Sequence, residues 1–384
     1  MKWTKKGHEL DYAYRKMQEK ELFYIFGAGD YGRHLYQIMK EEIAVAGFID
    51  NNPDKQGQEL YGHMIYKLAD IKRGRNIGII VAVSQFSRSA VVEQLKDAGY
   101  VEEEDYFKIE PFLSAWYVYK YDKVYFTNIS MLPSTACNLN CELCLNFNPY
   151  AAKPDVRSVG QVKEDIDLFF GCVDYVMLFH VSGGEPFLYP HFAEVIEYLG
   201  TKYRSQILTL RTVTNGTIVP RDELLQRLSG IDFEITVDDY REAVPESKED
   251  FALLIEKLEK YHIKYEINKA EAWIDLAPTV TDHSMWTEEQ LTEHFDNCAQ
   301  TWQELRDGKL YSCNYDGYAT VAGINEQQKE EVFDLRTFTS GRKKELVEFR
   351  LGYNDKGYTN LCKHCRGFYM DNPVTGQPAA QGKR

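Results

Sequence analysis

Seven of the eight cysteines fall into two groups whose spacing suits metal chemistry. Cys137, Cys141 and Cys144 form C-x3-C-x2-C within STACNLNCELCLNF, residues 134–147. Farther on, Cys298, Gly308 and Cys313 form C-x9-G-x4-C, and Cys362 and Cys365 form C-x2-C within NLCKHCRG. A cytosolic chain keeps its thiols reduced, so such clusters read as metal or redox sites rather than disulfides. Complete ligation of a cubic four-iron cluster takes four thiolates. Three leave one iron open, and an open coordination position separates a catalytic metal from a structural one. Four close the cluster, which suits electron transfer better than substrate binding. On spacing alone, a zinc knuckle with a fourth ligand from elsewhere and a structural Zn(Cys)4 site are the alternatives. Cys172 is left over and reads as a small buried thiol.

These residues need elements to hold them. Between about 125 and 280, apolar runs predict strands at 125–131, 175–181, 207–213, 233–237 and 264–268, with helices between them. Pro190 and Pro220 stand near helix starts, and Ser247 with Asp250 signals the start of a helix running to Lys260. Repeated β-α units build a doubly wound sheet or a barrel, and barrel active sites lie on the loops after the strands. The three-cysteine loop follows the first of these strands. Cys172 precedes the second strand, which places it at the closed end. Residues 21–110 form a smaller α/β series, with strands at 22–26, 45–49 and 77–83 and helices at 30–40 and 87–98. The aromatic stretch 111–125 reads as a connection. Residues 281–370 are less regular, and the tail DNPVTGQPAAQGKR, 371–384, reads as flexible.

The cysteine loop is followed in order by SGGEP (Ser182–Pro186), TNG (Thr214–Gly216) and ITVDD (Ile235–Asp239). In this order the chain resembles the radical S-adenosylmethionine (SAM) enzymes over about residues 125–280. The resemblance implies a partial (β/α)6 barrel with a [4Fe–4S] cluster on Cys137, Cys141 and Cys144, whose open iron is chelated by SAM. It implies that Gly183 and Gly184, in the turn closed by Pro186, let backbone approach the ligand and that Glu185 accepts from the SAM amino group. Asn215 and Asp238, at strand ends, are expected near its carboxylate or ribose. One electron then cleaves SAM to a 5′-deoxyadenosyl radical that removes hydrogen from an unactivated carbon. Leu143 stands where members usually carry an aromatic residue. The late cysteines resemble the twitch subdomain, the shortened relative of the SPASM domain. That resemblance implies an auxiliary [4Fe–4S] cluster on Cys298, Cys313, Cys362 and Cys365. With no cysteine placed to return hydrogen, as an epimerase commonly requires, and with an auxiliary cluster to accept an electron, oxidation is the expected outcome. The twitch-containing dehydrogenases of aminocyclitol antibiotic pathways are a parallel.

Near the front, YIFGAGDYGRHL places Gly27, Gly29 and Gly32 as G-x-G-x-x-G after a strand, and Asp50 ends the next strand. The pattern satisfies a dinucleotide-fold reading. The region resembles the small Rossmann-like domain found before sugar acyltransferases and other surface-polysaccharide enzymes. A bound NAD(P) or nucleotide-sugar, or a structural or docking role with no ligand, is expected there.

The chain has 384 residues, 44% apolar and 27% charged, with net charge −14. That balance argues against a partner held by phosphate contacts, such as nucleic acid. The longest apolar run, 77–83, is too short to span a bilayer, and no signal peptide is visible in MKWTKKGHEL. The expected organisation is α/β: a Rossmann-like domain at 1–110, the radical SAM partial barrel at 111–285, the twitch-like subdomain at 286–370 and the tail at 371–384. The expected function is a cytoplasmic radical SAM oxidoreductase acting on a sugar, polyol or nucleotide-sugar, with a flavodoxin or ferredoxin reductant. A ribosomal peptide maturase and a non-catalytic iron–sulfur electron-transfer protein are the alternatives.

Overall fold

In the computed structural model, residues 1–298, 302–369 and 374–382 are described, in two units. The first runs from Lys5 to Lys123. It comprises α1 (Asp11–Gln18), β1 (Leu22–Phe26), α2 (Asp30–Met39), β2 (Val45–Ile49), β3 (Glu59–Leu60), β4 (His63–Tyr66), β5 (Ile77–Val81), α3 (Gln85–Asp97), β6 (Tyr106–Lys108) and α4 (Ile109–Tyr121). The sheet order is β3-β4-β2-β1-β5-β6, parallel except for β3 against β4. Its core gathers Phe26, Ile49, Ile79, Val81, Leu95 and Tyr106. The stretch expected as a connection at 111–125 is largely the helix α4. Pro111 sits in its first turn, where the missing N–H has no partner to lose. Asp122 closes the helix in the left-handed conformation, φ 52°.

The second unit joins residues 1–4 to 124–384. Its strands are β7 (Tyr125–Met131), β8 (Tyr175–Val181), β9 (Ile207–Thr214), β10 (Glu234–Asp238), β11 (Lys264–Asn268), β12 (Trp273–Ile274), β13 (Glu304–Arg306), β14 (Lys309–Tyr311), β15 (Val332–Asp334) and β16 (Thr375–Gly376). The helices are α5 (Val159–Cys172), α6 (Phe192–Lys202), α7 (Asp222–Leu228), α8 (Lys248–Lys260), α9 (Glu288–Asn297), α10 (Asn314–Val321) and α11 (Lys343–Arg350). Strands β7 to β11 are mutually parallel neighbours, in the order the β-α repeats imply. Strand β7 is buried at all seven positions, so its polar residues need partners. Arg350 donates to Thr127 Oγ1 at 2.6 Å and to Asn128 Oδ1 at 3.0 Å, and Ser130 bonds Tyr318 at 2.6 Å.

Three expectations need correction. A (β/α)6 barrel calls for a sixth parallel strand, but among the described residues the sheet ends at β11. Residues 273–274 pair instead with β16, and Ala277 (φ 44°) before Pro278 ends that run. The sheet grows on its other side, where β13 joins β7 through Glu304 and Ser130 and leads into the antiparallel β14 and β15. The tail expected as flexible is structured over 374–382, with β16 paired and Ala379 fully buried; 371–373 and 383–384 lie outside the described residues. Helix α8 begins where expected, but Ser247 does not cap it. Its hydroxyl donates back to the Val244 carbonyl at 2.7 Å.

Candidate metal and cofactor sites

The loop after β7 carries Cys137, Cys141 and Cys144. Cys141 is buried and the other two are half-buried. Two seams fix the loop. On one side Thr135 N–H donates to the Asp155 carbonyl (2.9 Å) and Asp155 N–H to Thr135 Oγ1 (2.8 Å). On the other side lies the SGGEP turn. There Gly184 N–H donates to Ser134 O (2.9 Å) and Glu185 N–H to Ala136 O (2.8 Å), while Asn146 Nδ2 donates to Gly183 O (2.5 Å). A Cβ on Gly184 would collide with the Ala136 carbonyl and lie 2.5 Å from that of Thr135. One on Gly183 would meet only ordinary contacts, 3.5 Å and beyond. The glycine pair was expected to let backbone approach a ligand; Gly184 is required first for the turn to approach the cysteine loop.

Glu185 is 1% exposed. Its carboxylate accepts from Phe187 N (3.1 Å), Thr214 Oγ1 (2.9 Å) and Asn215 N (2.9 Å), so it ties the SGGEP turn to the end of β9. Burial pushes it up to about 7 against those bonds. Asn215 Nδ2 points at Cys137 Sγ (3.7 Å) and donates to Asn138 Oδ1 (3.0 Å), while Thr217 N–H and hydroxyl donate to Asn215 Oδ1. Asp238 accepts from Tyr240 (2.6 Å) and Asn268 (2.7 Å). Tyr240 packs with Cys141, Cys144, Val244 and Ala379. Glu185, Asn215 and Asp238 are thus each linked to the cysteine loop. Pro186 opens the short 3-10 turn that follows. Asn138 and Thr214 lie inside motifs quoted from the sequence but were given no role there, and Thr217 and Tyr240, each one residue beyond a quoted motif, were not singled out.

The thiols test the fit of a cluster. Burial pushes Cys137 up to about 12 and Cys141 to about 11, and raises Cys144 as well. Charge on Glu185 and the other two thiolates adds to this for Cys137, and charge on Cys144 does so for Cys141. Three thiolates are stable there only beside a cationic centre. Among the described residues no three His, Cys, Asp or Glu side chains gather as around a single ion. A four-iron cube spreads its thiolates farther apart than one ion does, and the donor set fits it.

The second group comes from distant segments. Cys298 follows α9, Cys313 caps α10, Cys362 lies in the 3-10 turn Asn360–His364 and Cys365 follows it. All four line one apolar cavity with Tyr315, Leu361 and Phe368. Backbone N–H groups aim at two sulfurs, Phe368 N at Cys298 and Gly367 N at Cys365, both at 3.3 Å. Burial pushes Cys362 up to about 12 and raises Cys313 and Cys365 well above the ordinary thiol range. Gly308 shapes the group through a hairpin. Asp307 (φ 51°) and Gly308 (φ 69°) make the tight turn between β13 and β14, an Asp-Gly signal present in the sequence. Asp165 on α5 accepts both their N–H groups, at 2.9 and 2.6 Å, and is paired with the buried Arg157 at 2.7 Å. Cys172 ends α5, buried, with Sγ 3.8 Å from the Leu335 carbonyl.

In the N-terminal unit the glycine motif holds itself together. Gly27 (φ +121°) has no room for a Cβ against the Ala82 carbonyl and Val83, and Gly32 none against the Gly27 carbonyl. Gly29 alone faces open space. The Asp50 carboxylate, expected as part of a nucleotide site, is engaged by Ala28 N (2.9 Å), Asn52 N (2.9 Å) and Lys55 (3.1 Å). Burial opposes its charge, but these donors outweigh it and hold Asp50 below its ordinary range.

Residues 131–285 match the radical SAM superfamily, and residues 19–105 match the N-terminal region described as C2185-like. Over 89 residues, 23% of this chain, the sequence is 30% identical to the antilisterial bacteriocin subtilosin biosynthesis protein AlbA of Bacillus subtilis (strain 168). The match spans only 18% of that protein's length. Among solved structures, BtrN in complex with AdoMet and 2-DOIA is similar with TM-score 0.37 at 15% identity, covering 63% of this chain and 93% of that one. Streptococcus suis SuiB is similar with TM-score 0.32 at 14% identity, covering 54% and 46%. UDP-D-quinovosamine 4-dehydrogenase from Vibrio fischeri is similar with TM-score 0.18 at 20% identity, covering 21% and 74%. Among the described residues no helix is long and apolar enough to cross a membrane. The three-cysteine loop and the SGGEP turn lie inside the region that matches the radical SAM superfamily.

Proposed function

We propose that this chain is a radical SAM enzyme that takes hydrogen from a carbon of a sugar, polyol or nucleotide-sugar and oxidises it. The observation that carries the reading is the backbone seam joining the SGGEP turn to the cysteine loop, which sets a buried carboxylate and three thiols side by side. When bound, SAM and an open-iron cluster supply the hydrogen-abstracting radical, and a fully ligated second cluster supplies an electron sink. The protein's part is position. Glu185 is fixed by three donors with lone-pair capacity left for an ammonium group. Asn215 and Asp238 stand at the ends of neighbouring strands, Asn215 beside Cys137 and Asp238 behind Tyr240. The apolar lining of the four-thiol cavity excludes water from that site.

Oxidation is favoured by the four-thiol cavity, and a carbohydrate-like substrate by the glycine-motif unit at the front. A nucleotide on that unit would enter at Gly29, the one open glycine of the motif. A peptide substrate is favoured by a different observation, the 30% identity to AlbA over 89 residues. Anaerobic reconstitution with iron, sulfide, dithionite and SAM tests the class through release of 5′-deoxyadenosine. Deuterium carried into that product from labelled nucleotide-sugars or polyols, and not from labelled peptides, supports the carbohydrate reading. The reverse pattern selects the peptide reading. No 5′-deoxyadenosine from a fully loaded protein overturns both and leaves an electron-transfer protein.

A further inference from the structure

The segment 374–382 was read from sequence as tail, yet it is bonded at its start to residues 273–275 and at its end to the cysteine loop. Strand β16 pairs with β12, and Asp275 N–H donates to the Val374 carbonyl at 2.9 Å. Gly376 lies so close to Leu143 that a Cβ there would stand 2.5 Å from its Cδ1. Ala379, fully buried at φ 55°, packs with Cys141, Tyr240 and Val244. Gln381 then forms an antiparallel bridge with Cys141 itself. Glu142 N–H donates to Ala380 O and Gly382 N–H to Asn140 O, both at 2.8 Å.

The Gln381 side chain is oriented by its partners. Asn140 N–H can only donate, and it meets Gln381 Oε1 at 2.8 Å. The amide nitrogen therefore faces the other way, 2.6 Å from the Ala379 carbonyl and 3.5 Å from Cys141 Sγ. Both hydrogens of that nitrogen have an acceptor, one of them the sulfur. Gln381 itself stays open to solvent, whereas Cys141 beneath it is 8% exposed.

We propose that residues 374–382 are a strap that fixes the cysteine loop, and that Gln381 is a positioning residue acting through Cys141. Its N–H···S bond raises the reduction potential of the cluster held there. The inference rests on reading Cys137, Cys141 and Cys144 as cluster ligands. Its physical basis is charge. Reduction adds an electron that is spread partly onto the ligand sulfurs, and a donor aimed at one of them stabilises the reduced form. The covering chain also limits access to Cys141.

The test uses the full chain, reconstituted anaerobically and titrated with dithionite, following the EPR signal that SAM perturbs. Gln381→Met removes the donor without adding charge. The expected result is a roughly tenfold higher oxidised-to-reduced ratio at fixed ambient potential, about 59 mV lower for one electron. A midpoint equal to that of the unaltered chain overturns the role of Gln381. A second measurement needs no cluster: iodoacetamide labelling of the apo-protein, read at each cysteine by mass spectrometry. Ending the chain after residue 373 is expected to speed labelling of Cys141 about tenfold and leave Cys172 unchanged, against the thiol-access rule for reactivity. Equal Cys141 rates in the two chains overturn the strap. If the unaltered chain shows no SAM-perturbed four-iron signal, the cluster reading beneath the potential argument fails, and the labelling result still decides the strap.

Discussion

The two cysteine sites are held in opposite ways. The three-cysteine loop is local in sequence and polar in its surroundings. Its sulfurs meet side-chain amides from Asn215 and Gln381, and a glycine turn is bonded to its backbone. The four-cysteine cavity joins Cys298 and Cys313 to Cys362 and Cys365, which lie 49 residues and more beyond Cys313, is lined mostly by aromatic and aliphatic carbon, and meets two of its sulfurs with main-chain N–H groups and that of Cys362 with the Thr359 hydroxyl at 3.5 Å. The first arrangement suits a cluster that exchanges a ligand and is tuned by side chains. The second suits one sealed on every corner. Glu304 joins the two regions: it starts the hairpin between Cys298 and Cys313, and its Oε1 accepts from Leu132 N–H at 2.7 Å, just before the cysteine loop.

The contrast breaks most completely at the ligands. Cys141→Ala or Cys144→Ala is expected to reduce 5′-deoxyadenosine to background. Cys298→Ala is expected to keep SAM cleavage while iron falls by about four per chain. Equal loss of SAM cleavage in all three would erase the distinction between the sites.

The seam gives the next largest effect. Gly184→Ala forces a Cβ into two carbonyl oxygens and is expected to cost about 2–3 kcal/mol in chemical denaturation. Gly183→Ala, which meets only ordinary contacts, is expected to stay within about 0.5 kcal/mol. Equal effects would mean the turn does not set the loop.

A smaller effect is a pH slope. Burial pushes Glu304 up to about 8, so the folded chain binds a proton that the unfolded chain has lost above its ordinary carboxylate range. Stability from this group is therefore full below about pH 4.5 and is lost as pH rises toward 8. Glu304→Gln is expected to flatten the apo-protein's urea-denaturation profile over that window; an unchanged slope would remove Glu304 from the link between the sites. The smallest change expected is in Tyr240→Phe, which removes one hydrogen bond to Asp238. SAM binding, followed by anaerobic calorimetry, should weaken roughly fivefold, about 1 kcal/mol.

What was legible in the sequence follows the same contrast. Strands β7, β8 and β11 were readable to the residue because each is a short run bounded by polar or glycine-bearing turns. The candidate thiols of both groups could be singled out because cysteine spacing is a local signal. Three things depended on tertiary context. Pro111 marks a helix start as well as it marks a loop, so α4 read as a connection. Ser247 sits at a helix boundary whose backbone is already helical, so its hydroxyl turns to Val244 instead of capping. The strap has a polar, proline-bearing composition typical of tails, and its order comes from pairing with β12 and the cysteine loop, partners more than a hundred residues away. Asp50 shows the reverse limit. The acid spacing satisfied the dinucleotide-fold reading, but the carboxylate is committed to its own loop.

The central claim is that one site leaves an iron open and the other does not. Mössbauer spectroscopy of the anaerobically reconstituted, 57Fe-labelled chain, with and without SAM, addresses it directly. The account predicts two four-iron clusters, with SAM shifting the parameters of a single iron in one of them and Cys298→Ala removing only the other. A spectrum in which SAM shifts no iron, or in which the Cys137–Cys144 loop holds no four-iron cluster, would contradict it.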